Sequence, residues 1–119
     1  GWSNGALTEG TYQFDLYAAA GQNNLEAGTL VGNLTVVYLN NTVTVTYTLF
    51  AGFTLNGVHL YLGNDFLPTG HNGNYTYAPG QFPYLSGNIE TNTYTFTVEN
   101  VSGQIYVAAH ADVTGYFGN

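Results

Sequence analysis

The chain has 119 residues, 45% of them hydrophobic, with no Lys or Arg, seven Asp or Glu and a formal net charge of −7. That length is enough for one domain with a core of its own, and that apolar content excludes a disordered chain. Without cationic side chains the surface cannot hold nucleic acid or an anionic membrane, and no run approaches the ~18 apolar residues of a membrane-spanning helix.

Residues 1–10 are a polar, glycine-punctuated lead-in carrying the only Trp. Residues 11–19 alternate, with Tyr12, Phe14, Leu16 and Ala18 on one face and Gln13, Asp15 and Tyr17 on the other, which predicts a strand. Residues 28–50 are the strongest signal: β-branched and aromatic residues in period two, free of proline, broken only by Asn40-Asn41. Asn tolerates positive φ, so a two-residue turn is expected there. That turn pairs Tyr38 with Val43, Val36 with Val45 and Leu34 with Tyr47 on an apolar face. Val37 then pairs with Thr44, Thr35 with Thr46 and Asn33 with Thr48 on a polar one. Such a half-buried antiparallel ribbon needs a second layer.

Ala51-Gly52 reads as a break and Asn56-Gly57 as a further turn or bulge. A strand is expected over 58–62, with Val58, Leu60 and Leu62 inward and His59 and Tyr61 outward. Residues 63–92 hold all three prolines and form one long irregular loop, with Tyr75 to Tyr77 a candidate short strand. Strands are expected over 93–99 (Tyr94, Phe96 and Val98 inward) and 104–113 (Ile105, Val107, Ala109, Ala111 and Val113 inward; Tyr106, His110 and Asp112 outward). Residues 1–119 thus predict a single all-β domain, an antiparallel β-sandwich of immunoglobulin-like or jelly-roll type.

The strings V-H-L-Y-L-G (58–63), P-G-Q-F-P-Y (79–84) and Y-V-A-A-H-A (106–111) resemble a module of secreted bacterial and archaeal proteins, over most of the chain from Gly28 onward. The resemblance implies a secreted β-sandwich and no settled activity.

His59 and His110 each face away from their strand's aliphatics. If the two strands share a sheet, both rings meet on one face with Asp112 close by, a donor set suited to a divalent cation such as Zn or Cu. The competing reading has both rings hydrogen-bonded to the long loop. Asp65, beside Asn64, is a candidate Ca²⁺ ligand, although no D-x-D-x-D-G loop surrounds it. Tyr75, Tyr77, Phe82 and Tyr84 either form a sugar-stacking platform or pack over one end of the sandwich. Asn33, Asn40, Asn74 and Asn100 lie in N-x-S/T sequons and are candidate glycosylation sites. No enzyme is expected. Ser86 and Ser102 lie outside any G-x-S-x-G, Ser3 stands in one (Gly1-Trp2-Ser3-Asn4-Gly5) but within the polar, glycine-punctuated lead-in rather than a strand-to-helix turn, and no carboxylate pair can be placed across a cleft.

The chain has no Cys, so disulfides are excluded. It begins without Met, which reads as a mature secreted form. The expected function is a structural subunit of an extracellular or cell-surface filament or sheath, its partner a second copy of itself. Residues 1–19 are expected to complete a neighbour's sheet by donor-strand complementation. A carbohydrate-binding module and a small metal-binding accessory domain are the alternatives.

Overall fold

The computed structural model describes residues 5–17, 28–66 and 83–115. Among these, seven strands form two antiparallel sheets, and no helix is long and apolar enough to cross a membrane. Strands β2 (Leu30–Leu39) and β3 (Thr42–Leu49) form the expected hairpin, with Tyr38 opposite Val43, Val36 opposite Val45 and Leu34 opposite Tyr47. Asn40 (φ 55°) and Asn41 (φ 63°) make the turn, both left-handed, as a hairpin of this twist requires. β1 (Gly10–Tyr17) pairs with β2 of the same chain, and β6 (Thr93–Val98) flanks β3, giving the order β1-β2-β3-β6.

One bulge interrupts this sheet. Leu16 faces Gly32 but Tyr17 faces Leu30, so Val31 is the extra residue, and it turns fully inward. Gly32 is obligatory on steric grounds. A Cβ there would overlap the carbonyl oxygen of Thr48 and lie 2.8 Å from the Cα of Leu49.

The second sheet has the order β5-β4-β7, with β4 (Phe53–Gly63), β5 (Tyr84–Leu85) and β7 (Tyr106–Gly115). Here the structure corrects the sequence reading. β4 starts at Phe53 rather than Val58, because of the two readings of Asn56-Gly57, turn or bulge, the bulge is the one that forms and the strand runs through it. Leu55 faces Val113 and Gly57 faces Asp112. The extra residue switches the inward parity from Leu55 to Val58, Leu60 and Leu62, all buried. β7 runs from Tyr106 to Gly115 rather than over 104–113, with Ile105 held in an isolated bridge to Leu7. β1 ends at Tyr17, and residues 18–19 of the expected strand lie outside the described residues. So do Tyr75 to Tyr77, whereas β5 is a short strand inside the stretch read as irregular.

The core lies between the two sheets. Leu34, Val36, Val43, Val45 and Tyr47 from one layer meet Leu55, Val58, Leu60, Val107 and Val113 from the other. Each buried aliphatic of this size contributes about 1.5–3 kcal/mol relative to exposure. Two tyrosines add polar ties across the interior: the Tyr38 hydroxyl donates to the Gly103 carbonyl and the Tyr47 hydroxyl to the His59 carbonyl, each at 2.8 Å.

Candidate functional site

The outer face of the three-stranded sheet carries the one grouping of metal-ligand side chains among the described residues. His59 on β4 and His110 on β7 are direct cross-strand partners, their ring centroids 5.2 Å apart and tilted by 55°. Asp112 stands two residues beyond His110, so period-two geometry puts it on the same face. His110 Nε2 and Asp112 Oδ1 are 3.1 Å apart. One ligand atom from each of the three residues lies within 4.8 Å of the others. The bulge at Asn56 sets this arrangement, since without it the register would carry His59 past His110.

The three groups differ in environment. His59 is half-buried, and its Nδ1 is shielded from water with no hydrogen-bond partner among the described residues. Burial lowers its pKa; Asp112 opposes this and His110 adds to it. The His110 and Asp112 side chains are 28% and 46% exposed, so water screens their attraction and leaves it worth little to stability. Among the described residues, backbone of Gly57 and Gly87 lies beside Asp112. A Cβ at Gly57 would lie 3.4 Å from both Asp112 Oδ2 and the Gly87 carbonyl. Ser86 fixes that wall, its Oγ accepting from the Val58 amide at 2.9 Å and donating to the Gly87 carbonyl at 2.7 Å. From the core side, Tyr47 holds the His59 carbonyl. Sequence reading missed Gly57, Ser86 and Gly87 as part of this surface; Asn-Gly at 56–57 was the one available signal.

Farther along the same face Tyr61 is buried at 7% exposure, although it points away from the core as expected. Its ring lies over Gly63, its hydroxyl donates to the Asp65 carbonyl at 2.6 Å, and it packs with Ala108 and Tyr106. Asp65 is exposed and belongs to no group of three or more His, Asp or Glu ligands among the described residues. The Asn64 amide beside it donates to the carbonyls of Ser102 and Gln104. Of the four candidate stacking aromatics, Tyr84 is half-buried against the core, its ring centroid 6.2 Å from that of Phe96. Tyr75, Tyr77 and Phe82 lie outside the described residues.

The outer face of the four-stranded sheet is a field of hydroxyls. Thr44, Thr46 and Thr48 stand opposite Thr97, Thr95 and Thr93, with Thr35 opposite Thr46 on the other side. Thr46 and Thr95 share a hydrogen bond at 3.1 Å. Asn33 lies on this face, half-buried. Asn40 and Asn100 are exposed in turns at positive φ, and Asn74 lies outside the described residues.

No protein-family model matches the chain, and neither a curated protein nor a solved structure matches it.

Proposed function

We propose that this protein is an extracellular structural subunit that assembles with copies of itself, edge to edge, through the four-stranded sheet. One observation carries the reading: its edge strands β1 and β6 run in opposite directions and, among the described residues, carry neither Lys, Pro nor an inward charge. Each neighbour in the order β1-β2-β3-β6 is antiparallel, so the first and fourth strands point opposite ways. A copy translated sideways therefore presents β1 antiparallel to the first copy's β6, with the inward face still inward. Natural edges are commonly guarded by Lys, Pro or inward charge. β1 carries Asp15 alone and β6 carries no charge, and neither contains Pro. The contact joins two different surfaces, so it propagates without closing.

Magnitudes make this assembly conditional. A six-residue ladder supplies roughly six hydrogen bonds at ~0.5–1.5 kcal/mol each, against an association cost of at least ~4 kcal/mol. Covering the half-buried rings of Tyr12, Phe14, Tyr94 and Phe96 adds apolar burial. The charge of −7 opposes it. Edge addition leaves β1 where it pairs within its own chain, whereas donation of residues 1–19 to a neighbour would first have to remove it. The extracellular setting rests on the absence of cations and on the exposed sequons at Asn40 and Asn100. Among the described residues the strands divide four plus three, as in an immunoglobulin constant domain, but in a different order.

Sedimentation velocity and negative-stain microscopy over a concentration series, with pH lowered toward the pI of about 4.2, test the reading. Extended particles should appear and grow as charge falls, while a folded Gln13→Lys/Thr95→Lys double variant should stay monomeric. A wild-type chain that remains monomeric throughout, or polymers indifferent to both lysines, would overturn it.

A further inference from the structure

We propose that His59, His110 and Asp112 bind a divalent zinc ion on the outer face of the three-stranded sheet. The proposal is independent of edge-to-edge assembly, which uses the other sheet.

Four features of the cluster carry it. The three residues come from two adjacent strands in fixed register, with the histidines directly opposite each other. Their ligand atoms already lie within 4.8 Å of one another. Donors on a tetrahedral ion with bonds of ~2.0–2.1 Å are roughly 3.3–3.5 Å apart. The contraction needed is about 1.5 Å at most, within reach of small side-chain rotations in the part-exposed His110 and Asp112. Second, His59 Nδ1 is buried with no hydrogen-bond partner among the described residues. An orphaned ring nitrogen in a shielded position is costly unless something occupies it or the ring turns to use it. Third, the backbone behind His59 is held by the Tyr47 hydroxyl at 2.8 Å, so one ligand strand is fixed from the core side. Fourth, position 57 beside Asp112 Oδ2 is a glycine and puts no side chain of its own there; a Cβ at that position would lie 3.4 Å from both Asp112 Oδ2 and the Gly87 carbonyl.

The donor chemistry selects the ion. Two imidazoles and one carboxylate suit a borderline divalent metal; Ca²⁺ and Mg²⁺ want oxygen alone, and the chain has no Cys or Met to attract a soft ion such as Cu(I). Zinc has no ligand-field preference, so it tolerates the irregular geometry that a sheet surface offers, whereas Cu(II) asks for a tetragonal plane. Three protein donors leave the fourth position to water.

The full chain, stripped with EDTA and titrated with zinc sulfate by calorimetry, tests this. One ion per chain should bind saturably, and His59→Ala, His110→Ala and Asp112→Asn should each weaken it by more than ~10-fold, the lower bound for losing even an outer-shell partner. Asp15→Asn, on the other sheet, should leave affinity unchanged. Absence of saturable uptake, or one-to-one binding that survives both His59→Ala and His110→Ala, overturns the proposal. Should the alanine variants fail to fold, imidazole nitrogen resonances of the wild type decide: both rings shifting together up to one equivalent supports the site, and two unmoved rings refute it.

Discussion

Replacing Tyr47 with Phe removes one oxygen from the middle of the sandwich and should report on how the two sheets are tied. Tyr47 is fully buried, and its hydroxyl donates at 2.8 Å to the His59 carbonyl across the core. Loss of that donor leaves a shielded carbonyl short of a partner, which costs about 1–3 kcal/mol. At roughly 3–5 °C per kcal/mol for a chain of this size, the melting temperature should fall by about 3–15 °C. The same burial drives the Tyr47 pKa far above its usual value of 10, because a phenolate would lose its water there. The sign follows from proton counting. Above pH ~10 the unfolded chain releases this proton and the folded chain retains it, so stability falls as pH rises. At pH 11 that amounts to about 1.4 kcal/mol, one pH unit beyond the unfolded pKa. Tyr47→Phe lacks this penalty, so the gap between wild type and variant should narrow by about 1.4 kcal/mol between pH 8 and pH 11. Urea unfolding of both proteins at the two pH values measures it. A variant as stable as wild type at pH 8, or two parallel pH profiles, would refute the reasoning.

Gly32→Ala should cost at least about 3 kcal/mol in a urea titration. The new methyl meets the backbone of Thr48 and Leu49 rather than a mobile side chain, so overpacking adds to lost ladder bonds. A loss below about 1 kcal/mol would mean that the bulge at Val31 can absorb the strain. His59 is held below its usual pKa, so in EDTA the unfolded chain binds the proton first as pH drops below about 6.5. Stability should therefore decline as pH falls from 7 toward 5, and His59→Gln should flatten that decline; a steeper slope in the variant would reverse the assignment.

Much of the fold was legible in residues 28–50. Period-two alternation and one Asn-Asn turn determine a register completely, and all the pairs it dictates are present. Legibility failed where an extra residue breaks the period. At Asn56 the inward parity changes within a single strand, so an alternation rule reads one strand as a break followed by a shorter strand. At Val31 the same event makes two successive residues, Val31 and Gly32, both buried. Tyr61 shows a different limit: outward from the core proved compatible with burial, because Gly63 and the Asp65 carbonyl give the ring and its hydroxyl somewhere to lie. The grouping of His59, His110 and Asp112 could be anticipated only on the condition that their strands be neighbours. Nothing local encodes adjacency of β4 and β7, which are separated by more than 40 residues. Packing decides it. The orphaned His59 nitrogen and the backbone floor at Gly57 and Gly87 were beyond sequence altogether, since they depend on where three strands stop relative to one another.

Among the described residues the two layers differ in parity. With three alternating strands, β5 and β7 necessarily point the same way, so a sideways copy would set them parallel, the weaker pairing. Under the proposed assembly, lateral growth would therefore run through the even layer rather than the odd one. A fibre grown this way would have a seamless side and a segmented side, with the histidines repeating along the segmented one, one group per subunit.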